Sequence, residues 1–196
     1  MIISKEFIWA HLPKTGGTTI TQMFNLFPDL IIFQDNEKSH AKHDTFKSKE
    51  KQFRGTFNQK RIMNFRRLPE WLTSIMFHME RCANMPFSKD NYKDGSVFLD
   101  MGGIKEWYNI DDLLKSYLDK PIDYFIRTEY LAHDFIKIMN NFKEFTPGDF
   151  EMIKSIHSGM GHYDKSKEYF SKEEIEQIYM DCPVWAKLES RLYEPN

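Results

Sequence analysis

The sequence predicts an α/β fold with a central, mainly parallel sheet flanked by helices. Two observations predict it. Short apolar runs bounded by turn residues recur along the chain, at Phe7–Leu12, Leu30–Phe33, Arg61–Arg66 and Ile122–Arg127. Between them lie segments whose apolar residues recur at helical spacing. Strands that alternate with helices pair in parallel through crossovers. At 196 residues the chain is long enough for one core, so a single domain over 1–196 is expected.

In chain order, Phe7–Leu12 reads as a buried parallel strand that Pro13 stops. Ile20–Phe27 reads as a helix, and Leu30–Phe33 as a second strand. The polar stretch that follows carries His40 and His43, with a short helix expected over Thr45–Phe53. Arg61–Arg66 is the third expected strand. Pro69 suits the first turn of a helix, and Trp71, Leu72, Ile75, Met76 and Met79 continue it to about Cys82. Asn84–Gly103 reads as an irregular connection, interrupted by Pro86, Gly95, Gly102 and Gly103. Helices are expected at Asp111–Leu118, Leu131–Asn141 and Asp149–Ile156, with the fourth strand at Ile122–Arg127. Ser171 and Glu174 form a capping box that opens a helix to about Asp181. After Pro183 a last helix is expected over Val184–Tyr193.

Composition excludes several classes. There are 27 basic and 29 acidic residues, a net charge of −2, which argues against a nucleic-acid binder. Cys82 and Cys182 stand far apart and form neither metal nor redox spacing. Two free thiols in a reducing compartment is the simpler reading. The N-terminal run passes straight into Pro13 without the form of a signal peptide. No stretch approaches the roughly 18 apolar residues of a membrane span. A cytoplasmic protein without a membrane contact is expected.

The chemistry concentrates in Pro13-Lys14-Thr15-Gly16-Gly17-Thr18-Thr19, between the first strand and the first helix. Strand, glycine turn and helix point several backbone N–H groups at one anion. Gly16 and Gly17 let the backbone approach closely. The threonines offer hydroxyl donors, and Lys14 adds a point charge. Phosphate binding on a P-loop-like domain is implied. The pattern is not the Walker one, which sets its lysine after the glycines.

This loop resembles the 5′-phosphosulfate loop of sulfotransferases that use PAPS (3′-phosphoadenosine 5′-phosphosulfate), closest to the carbohydrate, Golgi-type and bacterial members. A second family signature is a strand ending in Arg followed by a helix with Ser eight positions later, matched here by Arg66 and Ser74. The resemblance implies that this pair holds the 3′-phosphate, with Arg67 as a competing assignment. Arg127 and Glu129 fall in a looser match and read as structural. Lys165, Ser166 and Lys167 resemble a C-terminal basic loop that closes over the nucleotide.

The implied activity is in-line sulfuryl transfer from PAPS to an acceptor hydroxyl, on a carbohydrate or small molecule, with no metal. Lys14 would stabilise charge on the leaving PAP. The resemblance places a general base between the two motifs, with His43 first, His40 second, and Glu37 and Asp44 behind them. His11 reads as a packed residue. Ile20 stands where cytosolic members carry an adenine-stacking Trp. Trp107 and Tyr108 are candidates for the acceptor pocket or for the core. Two other readings stay open: a P-loop nucleotide kinase or NTPase, and a non-catalytic PAP-binding module.

Overall fold

The computed structural model describes residues 1–36, 43–100, 105–156, 164 and 167–194. In chain order the first elements are β1 (Ile2–Ile3), β2 (Phe7–His11), α1 (Gly17–Asn25), β3 (Phe33–Gln34), α2 (Phe46–Phe53), β4 (Lys60–Phe65) and α3 (Leu68–Ala83). Then come β5 (Tyr92–Lys93), β6 (Ser96–Asp100), β7 (Lys105–Asn109), α4 (Ile110–Tyr117), β8 (Tyr124–Arg127) and α5 (Leu131–Met139). The chain closes with α6 (Pro147–Ser155), α7 (Lys172–Asp181) and α8 (Pro183–Tyr193). These elements fall into two compact units. One is Met1–Phe65 with Tyr117–Met160, the other Arg66–Ser116 with Gly161–Asn196.

The first unit is built on a five-stranded sheet in the order β3-β1-β2-β4-β8. β2, β4 and β8 pair in parallel, as the alternation of strands and helices predicts. β1 is antiparallel to both β2 and β3. Only Ser4 to Glu6 separate β1 from β2, too few residues for a parallel crossover. All five residues of β2 are buried, because the sheet is covered on both faces. Phe7 and Trp9 pack with Ile20, Phe24, Ile126 and Phe135, from α1, β8 and α5. Ile8 and Ala10 point the other way, to Phe46 of α2. Each fully buried aromatic side chain in such a core stabilises by about 2–3 kcal/mol.

Two expectations fail locally. Leu30–Phe33 is not a strand: Pro28–Leu30 makes a 3-10 turn, and strand pairing begins only at Phe33. Ile32 lies 62% exposed, so the apolar run does not mark burial here. Asn84–Gly103 is not irregular throughout, since β5 and β6 lie inside it. Lys93 pairs with Ser96 across Asp94-Gly95, whose φ angles are +46° and +73°. Asp-Gly in that double left-handed state is the two-residue hairpin turn.

In the second unit, β5, β6 and β7 form an antiparallel sheet. Val97 and Leu99 are buried, and Trp71 of α3 packs on Trp185 of α8 with ring centroids 4.9 Å apart. Two carboxylates set the helix starts. Asp111 accepts the Val184 and Trp185 amides at 2.8 and 2.9 Å. Glu189 accepts the Leu68 amide at 2.8 Å and the Tyr179 hydroxyl at 2.7 Å. Cys82 and Cys182 are free thiols; burial pushes the Cys182 thiol up to about 12.

Arg127, at the end of β8, is clamped by Asp134 of α5 through its backbone amide, Nε and Nη2, at 3.0, 2.7 and 2.8 Å. This is the structural role its sequence position implied. Burial raises the Asp134 pKa, but the bonds from Arg127 outweigh it and hold the carboxyl below its usual 3.8. A group whose native pKa is depressed stabilises the fold above the unfolded value and loses that contribution as pH falls through the native one. Asp134→Asn is therefore expected to cost about 3 kcal/mol at neutral pH, with the gap to wild type closing below the 3.8 of the unfolded chain. Urea denaturation at neutral pH and near pH ~3 measures both; equal stabilities at neutral pH would assign the clamp no net value.

Candidate functional site

The glycine loop leaves β2 at Leu12 and enters α1 at Gly17. Its backbone passes twice through the left-handed region, at Lys14 (φ +65°) and Gly16 (φ +82°). For Gly16 that region costs little. For Lys14 it costs about 1–2 kcal/mol. Glycine is also required by space. A Cβ on Gly16 would lie 2.9 Å from Leu131 Cδ1, and one on Gly17 would lie 2.1 Å from His11 Cδ2. The first turn of α1 thus rests directly on the His11 ring. Gly16 is the N-cap and offers no side-chain acceptor to the helix amides.

The three threonines take different places. Thr18 is exposed, while Thr15 and Thr19 are buried. The Thr15 hydroxyl donates to the Leu12 carbonyl at 2.7 Å, which closes the turn from inside. The Thr15 carbonyl accepts from Asn64 Nδ2 at 2.7 Å, and Asn64 Oδ1 accepts from the Trp9 indole at 2.7 Å. Asn64 is fully buried in β4, in register with His11 of β2. An indole only donates and a carbonyl only accepts, so this arrangement fixes which way the carboxamide faces.

Trp9 carries the constraint onward. Its ring stacks on His11 with centroids 4.8 Å apart and 18° between planes. The His43 ring meets His11 edge-on at 4.7 Å. The chain therefore brings one of the expected bases, His43, against the residue that supports Gly17. His43 is anchored on both sides. Its carbonyl accepts from the buried Tyr117 hydroxyl. The next residue, Asp44, pairs at 3.1 Å with Lys49, which is fully buried and also binds Asp35 at 2.6 Å. Asp44 is thus tied into an ion-pair network. His11 is 5% exposed and packed, as its place at the strand end implied.

Arg66 and Ser74 belong to the second unit. Arg66 is half-buried, and its carbonyl accepts from the Trp185 indole at 3.1 Å. Ser74 is buried on α3. The competing Arg67 lies over the Tyr193 ring at 4.5 Å, with Glu189 at 3.9 Å. Ile20 is fully buried in the core of the first unit, which accounts for its apolar character without an adenine. Trp107 is 47% exposed and lies beside Phe98 at 5.4 Å, so it is not core. Glu37, His40, Lys165 and Ser166 lie outside the described residues.

A pocket of about 70 Å³ borders the first turn of α1, with His11, Gly17, Thr18, Thr21 and Asp35 in its wall. That is far below the ~300–1,000 Å³ of a ligand-sized cleft, so it admits a small polar group rather than a nucleotide. No helix among the described residues is long and apolar enough to cross a membrane. No protein-family model, no curated protein and no solved structure matches this chain.

Asn64 and Lys49 are the site residues that sequence reasoning missed. The signal for Asn64 is its type: a carboxamide inside the apolar run Ile62-Met63-Asn64-Phe65 needs a buried partner. The close packing of Gly17 makes a direct prediction. Gly17→Ala drives a methyl into the His11 ring and is expected to lower stability by about 1–3 kcal/mol. Gly55→Ala is the control, since its nearest neighbour, the Phe53 carbonyl, is 3.9 Å from the built Cβ. Thermal unfolding of both variants checks this; matched Tm values would mean the ring yields without cost.

Proposed function

We propose that the protein is a PAPS-dependent sulfotransferase of the P-loop-like kind, acting in the cytoplasm on a hydroxyl of a carbohydrate or small molecule. One observation carries this reading. The loop from Pro13 to Gly17 turns twice through left-handed backbone, starts a helix without a side-chain cap, and is fastened to the sheet from beneath. A preformed backbone of this kind suits an anion held by N–H groups, with Lys14 supplying charge. Its donor set, amides with the Thr18 hydroxyl and a lysine, fits a 5′-phosphosulfate. Thr15 and Thr19 contribute through the backbone, Thr15 having its hydroxyl turned inward.

In this reading Arg66 and Ser74 hold the 3′-phosphate, Arg66 through its bidentate fork. The reaction transfers a sulfuryl group: a bond forms between the acceptor oxygen and sulfur, and the bond from sulfur to the phosphate oxygen of PAP breaks. Lys14 offsets the negative charge that builds on that oxygen. His43 removes the acceptor proton. An imidazole suits this task because it changes charge near neutral pH. His40 is the second base, and Lys165 and Ser166 close over the nucleotide. The resemblance of the two motifs to the carbohydrate sulfotransferases supports a saccharide acceptor.

Calorimetric titration with PAP, and with ADP plus Mg²⁺, tests the donor assignment. Metal-independent PAP binding with much weaker ADP binding is the expected result. Mg²⁺-dependent ADP binding without PAP binding would replace it with a kinase-like reading. PAP binding without turnover of PAPS would leave a binding module. Lys14→Ala should abolish turnover. Arg66→Ala should weaken PAP at least about tenfold, the loss of a charge-assisted bond, and spare an analogue without the 3′-phosphate. Unchanged turnover in His43→Ala would remove it as the base.

A further inference from the structure

The grip of Asn64 on the loop has a directional consequence. In a trans peptide the C=O of one residue and the N–H of the next lie in one plane and point in opposite directions. No cis peptide occurs among the described residues. The Thr15 carbonyl points at Asn64, in the sheet beneath the loop, with an O···N distance of 2.7 Å. The Gly16 N–H therefore points away from the sheet. The two groups belong to one rigid plane, so the hold on one orients the other. Gly16 can accept this orientation because its φ of +82° is open to glycine.

We propose that Asn64 is a positioning residue that aims the Gly16 amide at the 5′-phosphate end of the nucleotide. This rests on the donor-site reading above. Asn64 does not touch the ligand. Its Nδ2 fixes the Thr15–Gly16 peptide plane, and the Trp9 indole fixes Asn64 in turn. The carboxamide meets both demands with separate atoms, since Nδ2 donates to Thr15 while Oδ1 accepts from Trp9. Ligand specificity follows. The effect of Asn64 is confined to ligands that carry a 5′-phosphate, whereas the effect of Arg66 is confined to those with a 3′-phosphate.

Asn64→Asp separates the two demands. The ionised carboxylate accepts from Trp9, has nearly the same size and repels the Thr15 carbonyl. Burial favours the neutral acid, which donates to Thr15 as the amide does, so the titrations are run at alkaline pH, where the carboxyl is ionised. PAP and adenosine 3′-phosphate are the two probes, titrated against wild type and variant. The expected result is at least about tenfold weaker PAP binding with unchanged binding of adenosine 3′-phosphate. Equal weakening of both would reduce Asn64 to a structural residue, and unchanged PAP binding would also overturn the proposal. A wild-type protein that binds neither probe would overturn the donor-site reading itself, and this proposal with it. If Asn64→Asp does not fold, wild-type NMR decides. PAP should move the Gly16 amide proton downfield and adenosine 3′-phosphate should not. A Gly16 signal that stays still while the Lys14 and Gly17 signals move would refute the assignment.

Discussion

The first unit depends on a single buried carboxamide. Asn64 sits at full burial between Trp9 and Thr15 and satisfies both. Without it, an indole N–H and a backbone carbonyl would be left unpaired in the core, each at about 1–3 kcal/mol. The consequences spread outward from Trp9, which packs tilted against Phe24 of α1 at 5.6 Å and stacked on His11 at 4.8 Å. His11 supports Gly17 and meets His43. The loop, the start of α1 and the expected base are therefore coupled through rigid aromatic planes, and β4 holds the assembly from the neighbouring strand.

The second unit uses the same device with charged side chains. Asp111 reaches the start of α8, and Glu189 reaches the start of α3. Asp111 accepts two helix amides and Glu189 one, each from a segment distant in sequence, and so ties one helix to another. Burial pushes the Glu189 carboxyl above its ordinary range even so, and Tyr179 helps to hold it. Elsewhere the chain uses local caps: Thr45 on α2, Thr146 on α6 and Ser171 on α7. The start of α1 differs because Gly16 carries no side chain. Its amides are placed by what lies beneath the loop, not by a group that covers them.

What was legible in the sequence was local. Lys14 to Thr19 announced the loop, Ser171 with Glu174 announced α7, and the apolar run at Phe7 announced a strand buried on both faces. The β5–β6 hairpin was also local, and Asp94-Gly95 signalled it, but the prolines and glycines around it read as a loop. β1 was hidden by its length of two residues, too short for any period. Asn64 and Lys49 were invisible for another reason. Their partners lie 55 and 49 positions away for Asn64, and 14 for the Lys49–Asp35 pair. Residue type alone shows that such a group needs a partner; only the fold shows which partner. Thr15 marks the same boundary, since its hydroxyl could serve a ligand or close a turn, and here it closes the turn.

Lys14 is the non-glycine residue of this loop that carries backbone strain. It holds φ +65°, where a glycine would sit with about 1–2 kcal/mol less strain. Strained backbone persists where the surroundings over-determine it. Here they do, since Pro13 restricts one side and the inward hydroxyl of Thr15 secures the other. That explains how the strain is tolerated, not why a lysine bears it. A lysine at this position adds a partly exposed positive charge to the loop that opens α1. Glycine would relax the turn and remove that charge. A positive charge beside the N-terminus of α1 is what an anion would meet there, and this is the physical reason to propose the loop as a site as well as a turn.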